Sequence, residues 1–413
     1  MKKSFFFAFA VAGVLCSCSS EEAIDGGVAS VNGGENSEWV PINIGMASNV
    51  VTRGTGTVGG TTDEENVWNK QILKVFMFQR EFIDGVAKDK FAPVQSSIEG
   101  SDLFFDTPLR APEGNTGEAK DLNGVVRYYP TGDGCYSFWG YHVDDENTVA
   151  PALIGELQEE TNGDEVEALY YNIGIDGTQD VMVAKAENVA ENVPENRRFS
   201  AFSARRGLQP ELKFKHLLTR LTFEVTSNQE GIKIEKIQVR SKNTGKLVVA
   251  YNGEERNQLE LNYINEEISL DSDGKPAVDD KDWFTLKERT EGFDELQEIV
   301  EPIDITTNDE YKRIGEALLV NPEKEGYELV VTLLQDVETN EDTHEVKQVR
   351  YTYNSVTTPS VKIVLTDTEN GFLAGNSYKV KLKVYGLEKI VITTTLDKWI
   401  EGGNVPIDPE SEI

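Results

Sequence analysis

The sequence of 413 residues has few of the residues that hold metals and disulfides. Three cysteines and three histidines are too few for a disulfide scaffold or a Cys/His zinc site. Lysine and arginine number 40 against 72 aspartate and glutamate, and the formal net charge of −32 disfavours binding to nucleic acid or anionic lipid headgroups. No stretch approaches the roughly 20 apolar residues of a transmembrane helix. What the chain does have is 35 glycines and 9% aromatic residues, which favours a turn-rich β protein.

The N-terminus has the form of a bacterial lipoprotein signal. Lys2 and Lys3 precede an apolar run over residues 5–15, which is too short to span a bilayer. The run ends in Leu-Cys-Ser-Cys, which resembles a lipobox whose second cysteine, Cys18, receives lipid; ordinary cleavage nearby without lipid is the alternative. The acidic stretch that follows resembles the surface-export signal of Bacteroidetes lipoproteins. We therefore predict a signal peptide over residues 1–17 and a place on the outer face of the outer membrane.

The next segments predict a tether, a strand and a linker. Residues 18–37 are mostly Gly, Asn, Ser and acidic residues, which is typical of a flexible tether. Ile42, Ile44 and Met46 alternate with small or polar residues, as in a strand with one buried face. The Gly/Thr-rich residues after Arg53 cannot pack, so Arg53 is a candidate site for a trypsin-like protease. These residues also spell GxGxxG, but no apolar helical period follows, and nucleotide binding is disfavoured.

The rest of the chain predicts an all-β fold of two antiparallel β-sandwich domains, over residues 38–208 and 209–413. A polar stretch over residues 187–210 suggests the connection between them. Helical periodicity is confined to the short stretch from Phe293 to Val300. Strand-like runs separated by turn signals occupy residues 72–78, 125–129, 136–143, 168–175, 181–184, 212–225, 232–239, 327–334, 347–353, 361–365, 378–384 and 390–396.

The sequence predicts no catalytic residue, no cofactor and no metal site. His142, His216 and His344 lie far apart and lack the spacing of a metal or catalytic motif. The Asp271–Gly274 stretch fits a hairpin turn better than a calcium loop. The aromatic run Tyr136–Tyr141 has two interpretations, a strand of the sandwich core or an exposed platform on which sugars stack.

Several segments together resemble the fimbrillin family of Bacteroidetes, whose members are lipoprotein precursors of type V pili. The resemblance covers nearly the whole chain and is specific in the order of its motifs. These are the lipobox at Cys18, the first strand ending in Val51-Thr52-Arg53, Tyr128-Tyr129-Pro130 before the aromatic strand, residues 180–184, residues 212–225, Gly375-Asn376-Ser377-Tyr378, and the final run from Ile392 to Trp399.

The resemblance implies two transthyretin-like sandwich domains and assembly by donor-strand exchange. In the family, a trypsin-like protease releases the first strand after an arginine, and the C-terminal strand of the next subunit fills the groove. Here the released strand would lie within residues 38–53, with Ile42, Ile44 and Met46 facing the core and cleavage after Arg53. The donor would come from residues 390–407; an ordinary closing strand of the C-terminal domain is the alternative. The candidate donor side chains are Ile390, Ile392, Leu396 and Trp399.

The predicted function is that of a non-enzymatic structural subunit of a cell-surface fimbrium that supports adhesion. Its partners would be other fimbrial subunits, the outer membrane through lipid (palmitate) on Cys18, and a surface receptor or glycan. The alternative is a monomeric surface lipoprotein that binds glycans through the aromatic strand. The sequence does not distinguish a stalk subunit from a tip or anchor subunit, and it identifies neither the receptor nor the protease.

Overall fold

A computed structural model of the chain describes residues 39–46, 68–96, 102–114, 117–143, 155–186, 198–277, 280–289, 296–307, 310–340, 345–365, 370–386 and 389–397. The described residues form one compact unit. The described residues are almost entirely β-strands and turns, which confirms the predicted all-β class. Among them, no helix is long and apolar enough to cross a membrane.

The strands of the first half are numbered in chain order. They are β1 (Ile44–Met46), β2 (Trp68–Asn69), β3 (Ile72–Ile83), β4 (Val86–Lys90), β5 (Val94–Gln95), β6 (Asp102–Leu103), β7 (Thr107–Arg110), β8 (Glu113–Gly114), β9 (Gly117–Asp121), β10 (Tyr136–Val143), β11 (Gln158–Asn162), β12 (Glu165–Gly174) and β13 (Val181–Lys185).

The numbering continues after a single helical turn, α1 (Ala201–Ala204), and a 3₁₀ turn (Pro359–Val361) lies before the last two strands. The strands are β14 (Glu211–Leu212), β15 (Lys215–His216), β16 (Thr219–Ser227), β17 (Ile232–Arg240), β18 (Thr244–Tyr251), β19 (Leu259–Asn262), β20 (Trp283–Thr285), β21 (Lys287–Arg289), β22 (Leu296–Glu298), β23 (Ile303–Asp304), β24 (Lys312–Val320), β25 (Leu329–Asn340), β26 (Glu345–Asn354), β27 (Ser377–Tyr385) and β28 (Lys389–Asp397).

Four sheets contain the long strands. Sheet A has the order β14-β1-β9-β7-β3-β10-β13-β15, with β4 also paired to β3. Sheet B has the order β11-β12-β18-β19, and sheet C the order β24-β16-β27-β28. Sheet D has the order β20-β17-β25-β26, with β23 paired to β17. Most neighbours are antiparallel; the parallel pairs are β1 with β14 and β16 with β27.

Sheet A is covered by apolar side chains on both faces. In β10, Phe138 belongs to one hydrophobic core together with the first strand, whereas Trp139 and Tyr141 belong to a second core that continues through sheets B, C and D. Strand β3 divides in the same way, with Met77 in the first core and Phe76 in the second. Because successive side chains of a strand point to opposite faces, a central strand between two cores is buried at consecutive positions, as β10 is along its whole length.

Strand pairing crosses residue 208 in three places. β1 pairs with β14, β13 pairs with β15, and β12 pairs with β18. The division into domains over residues 38–208 and 209–413 therefore stays a prediction, and a continuous hydrogen-bonded network joins the two parts.

Several sequence predictions were wrong in detail. Residues 125–129 form a loop with one isolated bridge at Tyr128, and Val125 and Val126 are exposed. In the predicted run 361–365, Val361 is the last residue of a 3₁₀ turn and Ile363 makes one isolated bridge. Leu296, predicted as part of a helical turn, lies in strand β22. The predicted run 212–225 is divided among β14, β15 and β16.

Candidate strand-exchange site

The first strand lies inside the protein, with one face against the core. Val40, Ile42, Ile44 and Met46 have exposed fractions of 7%, 6%, 2% and 2%. The four side chains pack in one hydrophobic core with residues from β3, β7, β10 and β14. The intervening residues are exposed or half-buried, as the alternating sequence predicts. The sequence therefore identified the buried face of this strand correctly.

Backbone pairing holds the first strand on both sides. On one side, β1 runs antiparallel to β9, with Ile44 opposite Ala119. Before β1, the Ile42 N–H donates to the Arg127 carbonyl at 2.8 Å, and the Tyr129 N–H donates to the Val40 carbonyl at 2.9 Å. The segment that contains Ile42 and Ile44 is therefore hydrogen-bonded to a continuous wall formed by residues 117–129.

The opposite wall comes from residues 209–212. β1 runs parallel to β14, with Gly45 opposite Glu211, and the Gly45 N–H donates to the Pro210 carbonyl at 2.9 Å. The Gln209 side chain accepts from the Asn43 N–H at 3.3 Å and donates to the Pro41 carbonyl at 3.3 Å. The sequence pattern does not predict this second wall as a partner of the first strand, because a two-residue parallel strand has no periodicity of its own.

Removal of the first strand would leave a groove that favours a replacement strand. Each exposed apolar side chain costs on the order of 1.5–3 kcal/mol, and each buried backbone group left without a partner costs about 1–3 kcal/mol. The apolar floor would include Phe104, Leu109 and Leu212, which lie in the same core as the first strand. A strand with matching side chains and free N–H and C=O groups would remove both costs.

A loop with a fixed shape lies over the start of the first strand. Asp121 accepts a hydrogen bond from Arg127 at 2.6 Å, and the two side chains are mostly buried. The other carboxylate oxygen of Asp121 accepts from the Asn123 N–H at 2.8 Å and the Val125 N–H at 3.4 Å. Burial alone would raise the pKa of Asp121, but the bonds from Arg127 and from the two backbone N–H groups hold that pKa below its ordinary value.

A cavity of about 220 Å³ lies between this loop and the first strand. Its lining includes Ile42 and Ile44 from the first strand, Phe104 and Leu109 from the core, and the loop residues from Gly124 to Arg127. The Arg127 guanidinium lies 4.9 Å from the centroid of the Phe104 ring. The pair Asp121–Arg127, which sequence reasoning missed, therefore shapes one end of the wall against which the first strand lies.

The predicted donor side chains lie mostly in a strand of the chain's own sheet. β28 pairs antiparallel with β27 along its whole length, from Lys389 opposite Tyr385 to Asp397 opposite Ser377. Ile390 is buried, Ile392 is partly buried against the core, and Leu396 is 66% exposed. In this structure residues 389–397 occupy a place in sheet C, and their role as a donor stays a prediction.

Three residues with predicted roles, Cys18, Arg53 and Trp399, lie outside the described residues. The lipobox, the glycine-rich linker and the C-terminal tail lie there as well. Lipid attachment and proteolytic processing therefore stay predictions.

The interpretation of Tyr136–Tyr141 as an exposed sugar platform was wrong. Every residue of β10 is buried, including Trp139 and Tyr141, because β3 and β13 flank the strand and a core covers each face. Within the described ranges, no group of three or more His, Cys, Asp or Glu residues is arranged to hold a metal ion. The candidate functional site among the described residues is therefore the first strand together with the groove that it occupies.

Comparisons with known proteins give one family match. The model of the family described as fimbrillin-like matches residues 91–399. No curated protein matches the sequence.

Solved structures of similar proteins share little sequence with this chain. A fimbrial protein of Bacteroides vulgatus is 12% identical, with 87% of this chain and 99% of that chain covered and a TM-score of 0.45. The fimbrial anchor protein Mfa2 of Porphyromonas gingivalis is 9% identical, with 87% and 98% covered and a TM-score of 0.28. The tip fimbrial protein Mfa3 of the same organism is 9% identical, with 87% and 100% covered and a TM-score of 0.31.

Proposed function

The chain belongs to the fimbrillin-like family, and we propose that it is a fimbrial subunit exported as a lipoprotein and assembled by donor-strand exchange. The family consists of structural rather than enzymatic proteins, and membership supports a fimbrial subunit with other fimbrial subunits as partners. The observation that carries the proposal is the burial of Val40, Ile42, Ile44 and Met46 in a strand paired on both sides. Removal of a strand that is buried and paired in this way leaves an apolar groove lined by unpaired backbone groups.

In the proposed sequence of events, lipid on Cys18 first holds the precursor at the outer face of the outer membrane. A trypsin-like protease then cuts after Arg53, which separates the first strand from the rest of the chain without breaking any other covalent bond. The groove between residues 117–129 and 209–212 receives a strand from the C-terminal region of another subunit. The resulting fimbrium supports adhesion to a receptor or glycan.

Limited trypsin treatment of the soluble mature protein tests the processing step. We expect a cut after Arg53 followed by SDS-resistant ladders, because a neighbour's strand in the groove restores backbone pairing with the groove walls and buries its apolar side chains in the core. The Arg53→Ala variant should remain monomeric. The matched control is Arg110→Ala, which removes an exposed arginine elsewhere and should leave the ladders unchanged. Ladders formed by Arg53→Ala, or a trimmed wild-type monomer without ladders, would contradict the proposal.

Metabolic labelling with a palmitate analogue tests the anchor. We expect label on the wild type and on Cys16→Ser, and none on Cys18→Ser, because Cys18 is preceded by a small serine and Cys16 by a bulky leucine. Protease accessibility of the labelled protein on intact cells then reports whether it lies on the outer face. Equal labelling of Cys18→Ser and the wild type would rule out Cys18 as the lipid site.

A further inference from the structure

The first strand and the C-terminal tail share a tripeptide. Val40-Pro41-Ile42 recurs as Val405-Pro406-Ile407, and a short polar residue follows in both places, Asn43 and Asp408. Residues 398–413 lie outside the described residues, and only the sequence of the tail is compared. The structure gives the burial and the backbone pairing of each residue of this tripeptide in the first strand.

In the first strand, the valine and the isoleucine face the core and the proline faces outward. Val40 and Ile42 are buried, whereas Pro41 is exposed and forms an isolated antiparallel bridge opposite Tyr128. The two backbone bonds beside this bridge use the Val40 carbonyl and the Ile42 N–H. A proline between them removes no hydrogen bond, since the N–H that proline lacks is not one of the groups that pair here.

The proline restricts the register in which the tail can occupy the same site. A shift by one residue turns Val405 and Ile407 away from the core. A shift by two residues toward the C-terminus of the groove places Pro406 at the position of Asn43, whose N–H donates to Gln209. A shift by two in the other direction places Pro409 at the position of Ile42, whose N–H donates to Arg127. Of these three registers, only the unshifted one keeps both the bond at the Ile42 position and the bond at the Asn43 position.

We propose that Val405-Pro406-Ile407 of one subunit occupies the site of Val40-Pro41-Ile42 in the next subunit, in the same direction and register. This rests on the strand exchange proposed above and specifies which tail residues enter which part of the groove. In this register Pro409 falls at the position of Ile44, where its missing N–H ends the pairing with β9. The Val40 and Ile42 half of the groove is therefore the part that selects the donor.

Cysteine pairs across the bridge position measure the register. Residues opposite each other in an antiparallel pair lie within disulfide range, whereas a residue two places along is displaced by about 6.6 Å along the strand and lies about 7–8 Å away, outside that range. Acceptor subunits carry Tyr128→Cys, and donor subunits carry Pro406→Cys, Asn404→Cys or Asp408→Cys. All carry Cys18→Ser, and Cys135, which is buried in the protein, is left in place. The double variant Pro41→Cys/Tyr128→Cys serves as the folding control, because it should form a disulfide within one unprocessed chain.

We expect polymers of the mixed subunits to form the disulfide between subunits about tenfold more with Pro406→Cys than with Asn404→Cys or Asp408→Cys. Preferential crosslinking through Asn404→Cys or Asp408→Cys would overturn the register while leaving strand exchange intact. Polymers in which none of the three pairs crosslinks, although the folding control does, would place the donor elsewhere in the chain. Failure of the trypsin-treated proteins to polymerise at all would overturn both the register and the proposed function.

Discussion

At the scale of single residues, the Asp121–Arg127 pair combines charge, burial and backbone contacts beside the first strand. Asp121 accepts from Arg127 and from two N–H groups of its own loop, and the Arg127 carbonyl accepts from the first strand at Ile42. A carboxylate that accepts several hydrogen bonds in a mostly buried site is stabilised in its charged form. The loop, and with it one wall of the groove, therefore depends on Asp121 being ionised.

The variant Asp121→Asn should lower the free energy of unfolding by about 1–3 kcal/mol at pH 7, because a charged acceptor with three donors is lost. The pKa of Asp121 is lower in the folded protein than its ordinary value of 3.8. The stabilisation is therefore fully present above the ordinary value and is lost as the pH falls through the folded pKa. Urea unfolding of wild type and variant at pH 7, 5 and 3 should show the difference shrinking only at the lowest pH.

The matched control for this prediction is Asp133→Asn, an exposed carboxylate in a nearby turn. It should change the free energy of unfolding by less than about 0.5 kcal/mol at every pH. An Asp121→Asn difference that is the same at pH 3 as at pH 7 would mean that the charge of Asp121 contributes nothing to the loop.

At the scale of strands, the sequence predicted best the strands that pair along their length with a neighbouring strand and pack against a core. The predicted runs 136–143, 181–184, 378–384 and 390–396 match β10, β13, β27 and β28 within about one residue. The run 125–129 failed because Val125 and Val126 are β-branched but have no sheet neighbour, so their propensity had no packing to support it. Propensity for a strand is realised only where a neighbouring strand and a core are available.

Parts of the candidate site could also be predicted at this scale, and others could not. The alternation of Ile42, Ile44 and Met46 predicted the buried face of the first strand correctly. Its second wall, residues 209–212, and the Asp121–Arg127 pair come from chain segments distant in sequence. Their side chains carry no periodic signal, because long-range pairing is fixed by the whole fold and not by local pattern.

Truncation separates the two roles considered for the C-terminal region. Removal of residues 398–413 should leave the unfolding transition unchanged, because β28 ends at Asp397 and keeps its pairing with β27. The same truncation should abolish polymerisation, because the tail supplies the proposed donor. Removal of residues 389–413 should lower stability by several kcal/mol, since Ile390 is buried and β27 would lose its partner strand.

Thermal unfolding and the trypsin ladder assay measure the two outcomes of truncation separately. Ladders of normal length from the chain that ends at Asp397 would place the donor within residues 389–397, which then would have to leave sheet C during assembly. Loss of both folding and ladders in that chain would mean that the tail contributes to the fold itself.

At the scale of the whole molecule, the described residues form a continuous β network with two cores. Sheet A lies between these cores, and the first strand belongs to the first of them. Removing the first strand therefore opens one core and leaves the second, which spans sheets B, C and D, intact. A subunit built in this way can present an open groove and remain folded.

The strongly negative chain also predicts how assembly depends on salt. The full sequence carries a formal net charge of −32, so two subunits that approach each other repel at low ionic strength. The Debye length falls from about 30 Å at 0.01 M salt to about 10 Å at 0.1 M and 3 Å at 1 M. Ladder formation after trypsin treatment should therefore accelerate severalfold between 0.01 M and 0.3 M NaCl and change little above that.

Two controls separate repulsion from other effects of salt. Thermal unfolding of the unprocessed protein across the same series reports any change in stability, and cleavage at Arg53 is completed and the protease inhibited before the salt is varied. Sodium chloride screens charge at these concentrations without the strong exclusion that sulfate shows, so a sulfate series would add a hydrophobic contribution that the chloride series lacks. A rate that falls as NaCl rises would show that attraction between oppositely charged patches, and not net repulsion, governs the encounter of subunits.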